Sequence, residues 1–147
     1  MSVSTTIKSQ LISKVQSCTS VQVVYGHEEP NPSGWPAVMV TSGDMQGEFS
    51  SNTENSRVYA FNLLIMMSIG QDFSGMPPGT NRMEYAEQIV ATVVDEIIDA
   101  VDTDFELDGT PVLFVNAADV QWAYTAGEFG EVRSASLSLR VYTEKLV

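Results

Sequence analysis

The sequence predicts an α+β protein in which a mainly antiparallel sheet of about five to six strands carries an N-terminal helix and one long helix. Three observations lead to this fold class. Residues 81–101 repeat apolar side chains at helical spacing, other segments alternate at strand spacing, and the segments follow in the order helix, strands, long strand, helix, two strands. Because 147 residues is an ordinary length for one domain, we expect residues 1–147 to form a single domain.

Two segments have the patterning of amphipathic helices. The first covers about residues 5–17, with Ser4 as a candidate N-cap, and its apolar stripe consists of Ile7, Leu11, Ile12 and Val15. The second covers about residues 81–101, where Asn81 followed by Glu84 resembles a capping box. Its apolar residues recur at i, i+3 and i+4, so we expect this helix to be the main cover of the sheet.

Six segments have the patterning of strands, and breaker residues separate them. The segments cover about residues 21–25, 36–42, 45–50, 57–69, 111–125 and 131–143. We expect a turn at Gly43-Asp44 and a polar turn through Asn52 and Asn55. The glycine- and proline-rich stretches 26–34 and 70–80 are predicted to be surface loops, and 143–147 is either a mobile tail or the end of a strand.

The long strand at 57–69 is unusual because both of its faces are rich in apolar residues. Its odd positions from Tyr59 to Ile69 are all apolar, while its even positions are mixed. Such a strand needs a cover on each face: a helical layer on one side, and on the other either a neighbouring subunit or a second helix. The interface candidates come from this strand and from the loop after it: Tyr59, Phe61, Met66, Met67, Phe73 and Met76.

Composition and charge restrict the classes of function. Hydrophobic residues make up 44% of the chain and charged residues 18%, as in globular proteins. The formal net charge of −12 opposes binding to phosphate backbones, and no basic run with interleaved aromatic residues occurs. The single cysteine, Cys18, points to a reducing compartment, and no segment has the apolar length of a signal peptide or a membrane span, so we expect neither export nor membrane anchoring.

No motif predicts catalysis or a cofactor, so we expect neither. His27, the only histidine, lies in an acidic loop, and the chain has no Gly-x-Ser-x-Gly elbow and no phosphate-binding glycine motif. The segment Asp104-x-Glu106-x-Asp108-Gly109 resembles the start of a calcium loop, but position twelve is Val115 rather than glutamate. Paired carboxylates remain open, because their separation in space decides such chemistry.

Two residue groups have alternative interpretations. The acidic segment from 95 to 108 is either a solvated face or an electrostatic surface that docks a basic partner or repels DNA; its candidates are Asp95, Asp99, Asp102, Asp104, Glu106 and Asp108. Six aromatic residues are expected in the sheet and core more than in a ligand pocket: Trp35, Tyr59, Phe61, Phe114, Trp122 and Tyr124.

The arrangement of segments resembles the small tail-terminator and tail-completion proteins of long-tailed bacteriophages. The likeness spans almost the whole chain and is architectural. It starts with the N-terminal helix, Thr5 to Ser17, and continues through Val24-Tyr25-Gly26 and a Pro-Ala-Val strand at 36–38. It then includes the long strand beginning Arg57-Val-Tyr-Ala-Phe, an Ala-Glu-Gln-Ile-Val-Ala helix at 86–91 and a Ser-Leu-Ser-Leu-Arg-Val-Tyr strand at 136–142.

The resemblance implies a structural virion protein that forms a homo-oligomeric ring, typically of six subunits. Such a ring caps the tail tube, contacts the tail tube protein and the neck or connector protein, and lets DNA pass without binding it specifically. Assembly would take place in the host cytoplasm. Another head-tail adaptor or tail component remains an alternative within the structural class, and a small ligand-binding or enzymatic α+β domain is the alternative from another class.

Overall fold

The computed structural model describes residues 3–29, 32–49, 54–69, 78–103, 112–127 and 130–146. Within these ranges the chain forms two helices, α1 (Val3–Gln16) and α2 (Arg82–Thr103). The same ranges contain five strands, which form one sheet: β1 (Val23–Tyr25), β2 (Ala37–Phe49), β3 (Glu54–Ser68), β4 (Val112–Gly127) and β5 (Gly130–Leu146). The fold class is therefore the predicted one.

The strand order in the sheet is β1-β2-β3-β5-β4. The short β1 runs parallel to β2, and every other neighbouring pair is antiparallel. β5 pairs with β3 along the whole length of β3, from Glu54 opposite Leu146 to Ser68 opposite Val132. The residues before the C-terminus thus continue the last strand, which was one of the two predicted alternatives.

Both helices pack on the same face of the sheet. The odd positions 61–67 of β3 and 135–141 of β5 point to this face and are buried with the apolar stripes of α1 and α2, which confirms the predicted periodicities. The largest fully buried side chains of this core are Phe61, Ile7, Leu11, Leu63, Ile65, Ile97, Leu137 and Leu139. Among the described residues no helix covers the opposite face, so the alternative of a helix on each side is wrong.

Polar contacts cap α2 and fix the segment after α1 to it. Asn81 caps α2, because its side-chain oxygen accepts a hydrogen bond from the Met83 N–H at 2.8 Å. Beyond the end of α1, the Ser20 N–H donates to the Glu96 carboxylate at 3.1 Å, and the Ser20 hydroxyl donates to the same carboxylate. This contact ties the α1–β1 connection to the middle of α2. Burial, and then the charge of Glu96, raise the pKa of the nearby Cys18 thiol.

Two local predictions were wrong, and a third was wrong in part. Helix α1 begins at Val3, so Ser4 lies in its first turn rather than at the cap. Residues 37–49 form one strand, because Gly43-Asp44 makes a β-bulge: Ser42 lies opposite Phe61 and Met45 opposite Tyr59, so two residues face one. Asn55 belongs to β3, opposite Phe49; Asn52 lies outside the described residues.

Glycine suits the bulge because little space remains there. A Cβ added at Gly43 would lie 3.2 Å from the Cβ of Ala60 and 3.4 Å from the Ala60 carbonyl oxygen. A larger residue would push the two strands apart at this point. The local pattern of a glycine followed by an aspartate is typical of both a turn and a bulge, and the pairing with β3 decides between them.

Candidate assembly surface

Strand β4 forms one edge of the sheet. Within the described part of the chain it has a hydrogen-bonded neighbour on the β5 side alone. Residues 119–126 are exposed on both faces of the strand. A long strand with one free side presents a row of backbone donors and acceptors to which another strand can pair.

Three apolar side chains are exposed on this edge strand, and we call them the β4 patch: Val120, Trp122 and Tyr124, which are 37%, 40% and 43% exposed. The register places them opposite Leu137, Ala135 and Arg133 of β5, on the helix-covered face of the sheet. Helix α2 packs on β3, β5 and part of β4, but it leaves these three β4 side chains more than a third exposed. Met83, in the first turn of α2, is exposed as well.

Arg133 holds the β4 patch against α2. Its Cζ lies 5.2 Å from the centre of the Trp122 ring, a distance at which a guanidinium is attracted to the aromatic face. Its Nη2 lies 3.7 Å from the Glu87 carboxylate. The Arg133 side chain is only 19% exposed, and its Nε is buried without a hydrogen-bond partner among the described residues. Trp122 is thus held in place although it is exposed.

Tyr124 is also tied to a charged neighbour. Desolvation, followed by the charge of the Glu131 carboxylate and by hydrogen bonding to it, raises the pKa of Tyr124. Aromatic side chains with an anchored polar end, next to an arginine, are typical of the residues that contribute most to protein–protein binding. The patch therefore has the composition of an interface.

The opposite edge of the sheet is built differently. β1 pairs with β2 at three positions, and the rest of β2 has a described neighbour only in β3. Helix α1 lies above this edge. Two side chains on its flank, Ile12 and Lys8, lie next to Gly26 at the end of β1. A Cβ placed on Gly26 would lie 3.0 Å from Ile12 Cδ1 and 3.8 Å from Lys8 Cε. Both side chains are partly exposed, so this flank presents an apolar residue beside a positive charge.

The sheet face away from the helices is mainly polar in its centre. Asn62 accepts hydrogen bonds there from the Thr41 hydroxyl at 3.3 Å, through its carbonyl, and from the Ser138 hydroxyl at 3.4 Å, through its side chain. Near one end of this face the Glu29 N–H contacts the Met39 sulfur at 3.4 Å, and Met39 is buried. The pattern confirms that β5 has one apolar and one polar face.

The predicted interface residues have different positions. Phe61 and Met67 are buried in the core under the helices, Tyr59 is half-buried at its margin, and Met66 is half-buried on the opposite face. Phe73 and Met76 lie outside the described residues. An interface role for this set stays a prediction.

Three of the acidic candidates lie within the described residues, and three lie outside them. Asp95, Asp99 and Asp102 are exposed on α2. The calcium-like segment with Asp104, Glu106 and Asp108 lies outside the described residues. His27 is exposed, with its Nδ1 3.0 Å from the Glu28 carbonyl oxygen. Within the described ranges no three His, Cys, Asp or Glu side chains are grouped as metal ligands, and neither helix has the length and hydropathy of a membrane span.

The β4 patch was missed by the sequence analysis, which assigned Trp122 and Tyr124 to the core. Of the other aromatic residues considered with them, Phe61 is buried, Tyr59 and Trp35 pack at the core margin, and the side chain of Phe114 lies outside the described residues. Alternation shows that Trp122 and Tyr124 share a face, but strand order determines whether that face is covered. The one local signal is Asp119 next to a bulge, a device common on edge strands.

Comparison with known proteins gave little. No protein-family model and no curated protein matches the chain. Among solved structures, the chain aligns with a chain of "Virion of native gene transfer agent (GTA) particle", with 16% sequence identity and a TM-score of 0.38, over 92% of this chain and 84% of that chain. A TM-score this low supports no conclusion about function.

Proposed function

We propose that this chain is a structural virion protein, a tail terminator whose copies form a ring that caps the tail tube and joins it to the neck. The observation that supports this most is the outer side of β4, which has no strand partner within the described residues and carries exposed aromatic side chains. A strand edge of 16 residues beside an apolar patch is an aggregation hazard in a monomer, unless another chain covers it. The role is structural rather than catalytic.

The difference between the two edges favours a ring over a two-fold dimer. One edge is the long β4, and the other consists of the short β1 and the outer side of β2. A contact between unlike edges is heterologous, and repeated heterologous contacts close into a ring or extend into a filament. The expectation of six subunits comes from the resemblance to tail terminators, since the fold of one chain does not determine the number.

The negative net charge of the chain is consistent with a ring through which DNA passes without being bound. Each copy has a formal net charge of −12, so subunits repel one another and must be held by apolar and backbone contacts. Salt screens repulsion between exposed charges, with a Debye length of ~10 Å at 0.1 M. Raising the salt concentration should therefore favour the ring, whereas a ring held by ion pairs would dissociate.

The mass of the purified protein in solution tests the proposal. Light scattering behind size exclusion, over a concentration series at low and high salt, is expected to show a defined species near six subunits that becomes more abundant with salt. Negative-stain images of that species should show closed rings. A monomer at every concentration and salt would contradict self-assembly, and would favour the ligand-binding alternative.

A further inference from the structure

We infer that the β4 patch of one copy is covered by the flank of α1 of a second copy, where Ile12 and Lys8 lie. This rests on the proposed function, because it specifies the contact between ring neighbours. The occupant is a second copy rather than another protein, for two reasons. The β4 patch and the α1 flank lie at matching positions along the strands, and the two edges carry opposite charges.

The positions along the strands match because one row of paired residues crosses the whole sheet. The register links Val24 to Val38, Val38 to Ile65, Ile65 to Ala135 and Ala135 to Trp122. All five side chains point to the helix-covered face. When two copies lie side by side without a shift along the strands, Trp122 of one copy therefore lies at the β1 edge of the next. There it lies beneath the flank of α1. β4 and the β1 strand of the neighbouring copy would then be antiparallel.

The charges of the two edges are complementary because α1 carries a positive net charge and α2 a negative one. Helix α1 contains two lysines and no acid, and α2 contains six acids and one arginine. Lys8 lies on the outer flank of α1, while Glu87 and the exposed Glu131 border the β4 patch. A head-to-tail contact brings the basic helix α1 of one copy beside the acidic helix α2 of its neighbour, whereas a contact between two β4 edges brings acid against acid. Electrostatics thus selects the heterologous arrangement.

A disulfide cross-link tests the contact directly. The variant carries Ile12→Cys and Val120→Cys, with Cys18→Ala to remove the native thiol. A bond within one chain is impossible, because β1 and β4 are four strand spacings apart, roughly 19 Å, and a disulfide needs Cα atoms about 4.4–6.8 Å apart. Mild oxidation is therefore expected to give a ladder of covalent multimers on non-reducing gels, ending at the size of the ring.

Two controls separate this contact from random collision. An equal mixture of the two single variants should stop at a covalent dimer, since each copy carries one thiol. The pair Ile12→Cys with Asp102→Cys, which places the second thiol on the exposed end of α2, should give no ladder. Circular dichroism and a thermal melt should confirm that each variant folds.

A charge reversal provides a second test. Lys8→Glu should weaken self-association by roughly threefold in the apparent dissociation constant at low salt, whereas Arg140→Glu, which makes the same change of net charge on the opposite face of the sheet, should weaken it less. A ladder together with the larger effect of Lys8→Glu supports the contact. If the protein forms larger species but gives no ladder, the assembly in the proposed function holds and the α1–β4 contact is wrong; if no multimer and no cross-link forms at any concentration, both are wrong.

Discussion

Strands β3 and β4 are nearly equal in length, 15 and 16 residues, and run in the same direction in the same sheet, yet they have opposite environments. β3 lies between two strands and under the helices, so Phe61, Leu63 and Ile65 are almost completely buried. β4 lies at the edge, where Trp122 and Tyr124 are exposed. Apolar alternation thus identifies a strand, while its place in the sheet determines whether the apolar residues stabilise the monomer or an assembly.

The largest effect should come from shortening a core residue of β3. Leu63→Ala removes a fully buried side chain and leaves a cavity, so the free energy of unfolding should fall by about 2–5 kcal/mol. Val120→Ala on β4 is the matched variant and should change it by less than about 0.5 kcal/mol, because Val120 is exposed in the monomer. Urea unfolding of both variants under monomeric conditions measures the difference; similar losses would contradict the account of the two strands.

A smaller effect is expected from the carboxylate that ties the α1–β1 connection to α2. Glu96→Ala removes the acceptor of the Ser20 N–H and hydroxyl, and hydrogen bonds to a charged group contribute about 1.5–3 kcal/mol when buried. Since this site is only partly buried, we expect a loss of about 1–2 kcal/mol. Asp95→Ala, one position earlier and exposed, is the control and should leave stability within about 0.5 kcal/mol. Equal effects of the two changes would show that the contact contributes nothing specific.

Apart from the two control variants, Trp122→Ala should have the smallest effect on monomer stability, although its effect on assembly should be large. In the monomer it removes a partly exposed contact with Arg133, for which about 0.5–1 kcal/mol is expected. At the interface it removes a central anchor, so the apparent dissociation constant should rise at least about tenfold. Unfolding and light scattering on the same preparation separate the two effects. A variant that assembles like the unchanged protein would show that Trp122 lies outside the interface.

The sequence was sufficient for the parts of the fold that depend on local periodicity. The stripes of α1 and α2 and the alternation in β3 and β5 were predicted because burial requires those spacings. The exposure of Trp122 was not predicted, because it depends on β5 lying between β3 and β4, which leaves β4 at the edge of the sheet. The bulge at Gly43-Asp44 likewise depends on pairing with Phe61 and Tyr59, which are distant in sequence.

Hydrogen exchange of the β4 amides is the most direct test of the central claim that β4 is an assembly edge. Mass spectrometry of peptides covering 119–126 and 58–68 compares the edge strand with the central strand, in monomeric and assembled fractions of the same protein. The account predicts fast exchange of the β4 amides in the monomer and exchange slowed by about tenfold or more in the assembled fraction, with β3 slow in both. Exchange of β4 that is equally fast in both fractions would contradict it.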